Sequence, residues 1–227
     1  MPTTKTRTPA DALADAREAQ ASANSYTVQA DSARAEAARI DADAVDLIVS
    51  DPAQADRITR EVSTQERLAN AYTAKAGAER ARADKLARDA LALEAERLDK
   101  AAEKAVKDAA AHQERVDELL AQLEDLDGVS YGVAAVPLAG AVDGRTYYPS
   151  TRGEQMTEHV DGYRVRASTI RYFLAHNELP EQSTALDVIK ESDPMAGRPI
   201  VQAREFFIPP LLAAYLAGTI LEFTPEA

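Results

Sequence analysis

The chain has 227 residues with no cysteine, and its formal net charge is −12. The absence of cysteine excludes disulfides, zinc thiolate sites and thiol nucleophiles. Residues 1–127 carry 18 Lys and Arg against 26 Asp and Glu, and residues 128–227 carry 8 against 12. Because both parts are acidic, we expect neither a nucleic-acid backbone nor an anionic membrane to be the main partner.

The first half has the sequence pattern of two long helices. Residues 1–8 are predicted to be a short disordered tail, with Thr8 as the helix cap and Pro9 in the first turn. In residues 9–49 small apolar residues recur at alternating spacings of three and four, which is the mark of a coiled coil. Residues 53–127 contain no proline and one glycine, and repeat this spacing. A helix of that length would run for about 110 Å and needs a second helix beside it.

The two stripes fit each other if the chain reverses at residues 50–52. Facing residues then have numbers that total about 102, so that Ala44 meets Ile58 and Ala30 meets Tyr72. Most large side chains face an alanine in this register, which fills the space between helices without voids. The pattern predicts an antiparallel hairpin. A continuous helix kinked at Pro52 is the alternative.

A second seam follows where the first helix would end. Beyond Leu93 the apolar stripe changes phase, which implies a change of partner. Its members are Leu91, Ala95, Leu98, Ala102, Ala105, Ala109, His112, Val116, Leu119, Leu123 and Leu126. Residues 9–49 cannot reach the larger of these side chains, namely Leu98, Val116, Leu119, Leu123 and Leu126. We therefore expect them to mediate interaction, and the chain to be a homo-oligomer.

The predicted hairpin tip also carries extra apolar surface. Val45, Leu47, Ile48 and Val49 exceed what one seam can cover. Two interpretations stay open, which are tight packing at the tip and a docking patch for a subunit or another protein.

The composition changes at Gly128, since residues 128–227 contain eight of the nine glycines and ten of the twelve aromatic residues. We expect residues 128–227 to form a small α+β domain. The predicted strands and hairpins lie at 129–138, around Asp143-Gly144, and after Asp161-Gly162 at 163–166; the predicted helices lie at 168–177, 183–191 and 210–221.

Residues 206–221 are an uncharged run of sixteen residues. The run is too short to span a bilayer and is interrupted by prolines and a glycine. It is expected to be a core element, with a subunit interface or membrane contact as alternatives. Phe206, Phe207, Leu211 and Leu212 are its candidate contact residues.

Signals of chemistry are few. His112, His159 and His176 are far apart and have no metal-ligand spacing, and no catalytic or phosphate-binding motif occurs. We therefore predict no catalytic residue, no cofactor and no metal. Residues 168–177 and 183–191 could form a helix-turn-helix, but the second helix would be acidic, which is unusual for DNA recognition.

The sequence thus predicts a mainly α protein, with a long alanine-rich antiparallel helical hairpin or coiled coil followed by a small α+β domain. Acidic, alanine-rich coils of this kind are common in bacteriophage assembly and virion proteins. The leading hypothesis is a non-enzymatic, self-assembling structural protein, with other structural proteins as further partners. It would lie in the cytoplasm, or in a virion if phage-encoded. The alternative is a regulatory adaptor whose C-terminal domain binds a protein or DNA.

Overall fold

The computed structural model describes residues 7–131, 141–142, 145–146, 152–180 and 208–224. The chain is mainly helical, as the sequence predicts. In chain order its elements are α1 (Pro9–Ser50), a 3₁₀ turn (Pro52–Gln54), α2 (Ala55–Asp127), β1 (Ala141–Val142), β2 (Arg145–Thr146), α3 (Arg152–His176) and α4 (Pro210–Leu216).

The ends of α1 follow from its sequence. Thr8 Oγ1 accepts a hydrogen bond from the Asp11 amide at 3.2 Å, while the Asp11 carboxylate accepts one from the Thr8 amide at 2.9 Å. This reciprocal capping box satisfies two amides that the first helical turn leaves free. At the other end, Asp51 has extended backbone angles and its carboxylate accepts a hydrogen bond from the Ala53 amide. Asp51 therefore ends α1 and caps the turn that leads into α2.

Three contacts show that α1 and the first part of α2 run antiparallel. The rings of Tyr26 and Tyr72 stack with centroids 6.3 Å apart. Arg34 donates to Thr73 Oγ1 at 2.7 Å, and Arg80 donates to Thr27 Oγ1 at 2.8 Å. The two residue numbers of each pair add up to a total that lies within about five of the predicted 102. This spread is expected for diagonal neighbours and long side chains. The chain therefore forms a hairpin.

Alanine fills most of the seam between these helices. The buried alanines of the repeating pattern are Ala16, Ala19, Ala23, Ala30, Ala33, Ala37 and Ala44 in α1, and Ala69, Ala76, Ala83 and Ala90 in α2. Such small side chains permit a helix separation at the low end of the usual 8–10 Å. The last buried residues before the turn are Ala44 and Ile58, which the register predicts to face each other.

The chain divides into two compact units, Met1–Leu91 with Ala214–Ala227, and Ala92–Ala213. Neither boundary coincides with Gly128. In the first unit, Arg17 of α1 donates to the carbonyls of Leu221 and Phe223 at 2.6 and 2.7 Å. Tyr215 donates to Asp84 of α2 at 2.7 Å. The C-terminal segment is thereby attached to both helices of the hairpin.

In the second unit α3 lies against α2 near Asp99, whose carboxylate accepts hydrogen bonds from Arg171. The buried side chains of α3 are Val160, Val165, Ala167, Thr169, Ile170 and Phe173. They cover a wide arc of the helix, so that α3 is enclosed on more than one side. The buried Thr169 hydroxyl donates to the Val165 carbonyl at 2.9 Å and therefore leaves no free polar group.

The structure does not support the predicted α+β domain. Among the described residues the strands are β1 and β2, of two residues each, which pair antiparallel around the predicted turn at 143–144. The strand predicted at 163–166 is wrong, because these residues lie inside α3. The helix predicted to start at Ser168 begins at Arg152 instead. The segments 129–138 and 183–191 lie largely or wholly outside the described residues.

The error at residues 161–166 has a physical cause. Asp161-Gly162 is a strong turn signal, and glycine inside a helix costs about 1 kcal/mol relative to alanine. Burial of Val160, Val165 and Ile170 outweighs that cost, since each such side chain gains about 1.5–3 kcal/mol on leaving water.

Candidate interaction surfaces

The second seam changes from buried to exposed along α2. Its first members, Leu91, Ala95, Leu98 and Ala102, are buried within the chain, and Leu98 is only 2% exposed. Ala105, Ala109, His112 and Val116 are half-buried. Leu119, Leu123 and Leu126 are 45, 43 and 80% exposed. Within the described residues, the chain therefore covers the first part of the seam and leaves the last part open.

We call the half-buried and exposed members of this seam the distal stripe. It consists of Ala105, Ala109, His112, Val116, Leu119, Leu123 and Leu126, which keep the alternating spacing of three and four residues. No carboxylate, lysine or arginine occupies any of these positions. Three exposed leucines in heptad register on one helix face are typical of a helix that packs on another helix.

The distal stripe stops where α2 stops. Gly128 has a φ of 68°, and its amide donates to the Glu124 carbonyl at 2.8 Å. A side chain at this left-handed position would be strained, so glycine is well suited to ending the helix. The Tyr131 hydroxyl then donates to the Asp127 carboxylate at 2.5 Å, which raises the pKa of Tyr131. These contacts fix the chain just after the stripe without covering it.

The hairpin tip forms a second exposed apolar surface, the tip patch of Val45, Leu47 and Val49. These side chains are 62, 49 and 81% exposed, while Ile48 is half-buried. The predicted contact of Leu47 with Ala55 does not bury Leu47. In the part of the chain that the structure describes, no element covers the tip patch, so the interpretation of tight packing at the tip is not supported.

The apolar run near the C-terminus has a different role from the distal stripe. Leu211 and Leu212 of α4 are 3% and 0% exposed and belong to the interior of the chain. Phe206 and Phe207 lie outside the described residues. Within the described ranges, no helix combines the length and the hydrophobicity needed to cross a membrane.

No site for chemistry is found in the part of the chain that the structure describes. This part contains no cluster of His, Asp and Glu that could hold a metal ion. It also contains no buried side-chain nitrogen or oxygen without a hydrogen-bond partner. The His176 ring lies against Tyr172, with centroids 4.4 Å apart, and His159 is exposed on α3.

One open depression of about 590 Å³ lies in the hairpin near the tip. It is lined by Ile40, Ala53, Asp56, Arg57, Arg60, Glu61, Thr64 and Gln65. Arg57 and Glu61 form an exposed ion pair across 3.6 Å. The charged side chains along its wall are exposed to solvent, whereas binding and catalytic pockets need polar groups held in a desolvated cavity.

Comparison with protein-family models, with curated proteins and with solved structures found no match for this chain. The two exposed apolar surfaces, the distal stripe and the tip patch, are therefore the candidate functional sites of this chain.

Proposed function

We propose that this chain is a non-enzymatic structural protein that self-associates through the distal stripe. The single observation that carries the proposal is the exposure of Leu119, Leu123 and Leu126 in heptad register. Each leucine that stays in water forgoes about 1.5–3 kcal/mol of burial. A helix from a second copy supplies the same apolar spacing and can therefore cover the stripe.

The position of the stripe supports an assembly role. It occupies the end of a helix of 73 residues, beyond the part that α3 covers. Within this proposal, the specific class is a virion or scaffolding-type component of a bacteriophage. The support for this class is the acidic, alanine-rich and cysteine-free composition. Other structural proteins of the same assembly are then further partners.

The first test places charge in the stripe. Leu119→Glu with Leu123→Glu adds two carboxylates that a helix–helix seam cannot solvate. A matched control, Ala110→Glu with Ala121→Glu, adds the same charges to the opposite, exposed face of α2. We expect the native mass of the wild type and of the control to exceed the 24.5 kDa of one chain, and that of the stripe variant to approach it.

Light scattering gives these masses, and circular dichroism shows that the helix content of all three proteins is the same. A wild type that is already monomeric at micromolar concentration would refute the proposal. A control variant that loses mass as readily as the stripe variant would assign the effect to charge rather than to the stripe.

A further inference from the structure

The side chains of the distal stripe increase in size toward the end of α2. Ala105 and Ala109 stand at one end, Leu123 and Leu126 stand at the other, and Val116 lies between them. In a parallel pair, each position would face its own copy. The alanine end would then need a small helix separation and the leucine end a larger one, which one straight pair of helices cannot provide together.

An antiparallel pair brings the alanine end of one stripe beside the leucine end of the other, so that small side chains there face large ones. We propose that the distal stripe packs antiparallel on the distal stripe of a second copy, with facing residue numbers that total about 235. Ala109 then faces Leu126, His112 faces Leu123 and Val116 faces Leu119. This inference rests on the proposed self-association and specifies its geometry. Its outer pair, Ala109 with Leu126, follows the rule of the hairpin of this chain, in which large residues face alanines.

Charge also favours the antiparallel arrangement. The last turns of α2 carry Glu124, Asp125 and Asp127, with no basic residue in the final turn. Acids at a helix C-terminus are unfavourable, because the helix dipole is negative there. A parallel pair would bring two such ends together. The antiparallel register separates these two acidic ends.

The side chains that flank the middle of the seam are compatible with the same register. Arg115 lies opposite Gln122 and Gln113 lies opposite Leu120, so these two flanking pairs bring no like charges together.

The absence of cysteine in the chain makes disulfide crosslinking a direct test. Two single variants, Ala109→Cys and Leu126→Cys, are mixed in equal amounts as full chains and oxidised mildly. We expect a disulfide between the two different variants as the main product, identified by its mass. Each variant alone should stay uncrosslinked, because the two copies of residue 126 lie about 26 Å apart in this register. A disulfide needs Cα atoms within about 7 Å of each other.

The control replaces Leu126→Cys in the mixture by Ala121→Cys, which lies on the exposed opposite face, and should give no crosslink. Native mass is measured on the same samples before oxidation. An assembly in which Leu126→Cys crosslinks to itself overturns the antiparallel register but leaves the proposed self-association intact. An assembly without any crosslink between residues 109 and 126 also overturns the register. A monomer overturns the self-association itself.

Discussion

Single polar side chains attach the C-terminal segment to the hairpin. Arg17 holds two backbone carbonyls of residues 221–223, and Tyr215 donates to Asp84. Burial raises the pKa of Tyr215, and its hydrogen bond to Asp84 raises it further, while a hydrogen bond with Arg88 acts in the opposite direction. The folded state therefore favours the neutral phenol of Tyr215, and the contact weakens when this phenol ionises at high pH.

This contact predicts a loss of stability at high pH. A raised pKa means that the stabilisation is complete below the unfolded value of about 10 and is lost as the pH rises through the folded value. The free energy of unfolding of the wild type should therefore exceed that of Tyr215→Phe at pH 8. This difference between the two proteins should be smaller at pH 11. Urea unfolding at both pH values measures the two free energies. An equal difference in the free energy of unfolding at both pH values would contradict the assignment.

At the scale of the elements, alanine determines how closely α1 and α2 approach. A seam of alanines buries little area per residue, and so its stability depends on close packing along many layers. The stacked rings of Tyr26 and Tyr72 are the large side chains that this seam accommodates at mid-length. Larger side chains at the alanine positions would force the helices apart.

Two neighbouring alanines of α1 allow a matched test of this packing. Ala23 is 0% exposed, whereas Ala21 is exposed. Ala23→Leu should destabilise the chain by about 1–3 kcal/mol through overpacking. Ala21→Leu should change the free energy of unfolding by no more than about 0.5 kcal/mol, since it alters only an exposed position. Chemical denaturation of both variants gives the comparison. Equal effects at the two positions would show that the seam is loosely packed.

At the scale of the whole molecule, the two compact units share α2. The unit Ala92–Ala213 includes the second part of α2, and Leu98 and Ala102 are buried there. Ile170 and Phe173 of α3 are buried in the same unit. Because Arg171 of α3 also contacts Asp99 of α2, we expect α2 to belong to the core of this unit as well as to the hairpin.

This sharing predicts how fragments behave. A fragment of residues 92–213 should melt cooperatively, because it keeps α2 residues 92–127 beside α3. A fragment of residues 129–213 should show low helix content and no cooperative melt. Circular dichroism as a function of temperature distinguishes the two fragments. A cooperative melt of the shorter fragment would show that the unit is stable without α2 and that a boundary at Gly128 is the better one.

The sequence by itself determined the helical half of the protein. The capping residues at Thr8 and Asp51, the turn at Pro52 and the pairing of Ala44 with Ile58 all follow from local preferences and from heptad spacing. These features were predictable because each depends on neighbours along the chain or on one repeating register. The apolar spacing of the distal stripe was readable for the same reason.

Tertiary structure alone decided which parts of the apolar pattern are covered. Leu98 and Leu119 occupy equivalent heptad positions, yet α3 lies near the first and leaves the second exposed. Local signals also pointed to a turn at Asp161-Gly162, where burial of α3 side chains keeps a continuous helix. In both cases the outcome depends on a helix distant in sequence. The free energy of burying its apolar face exceeds the local preference of the residues involved.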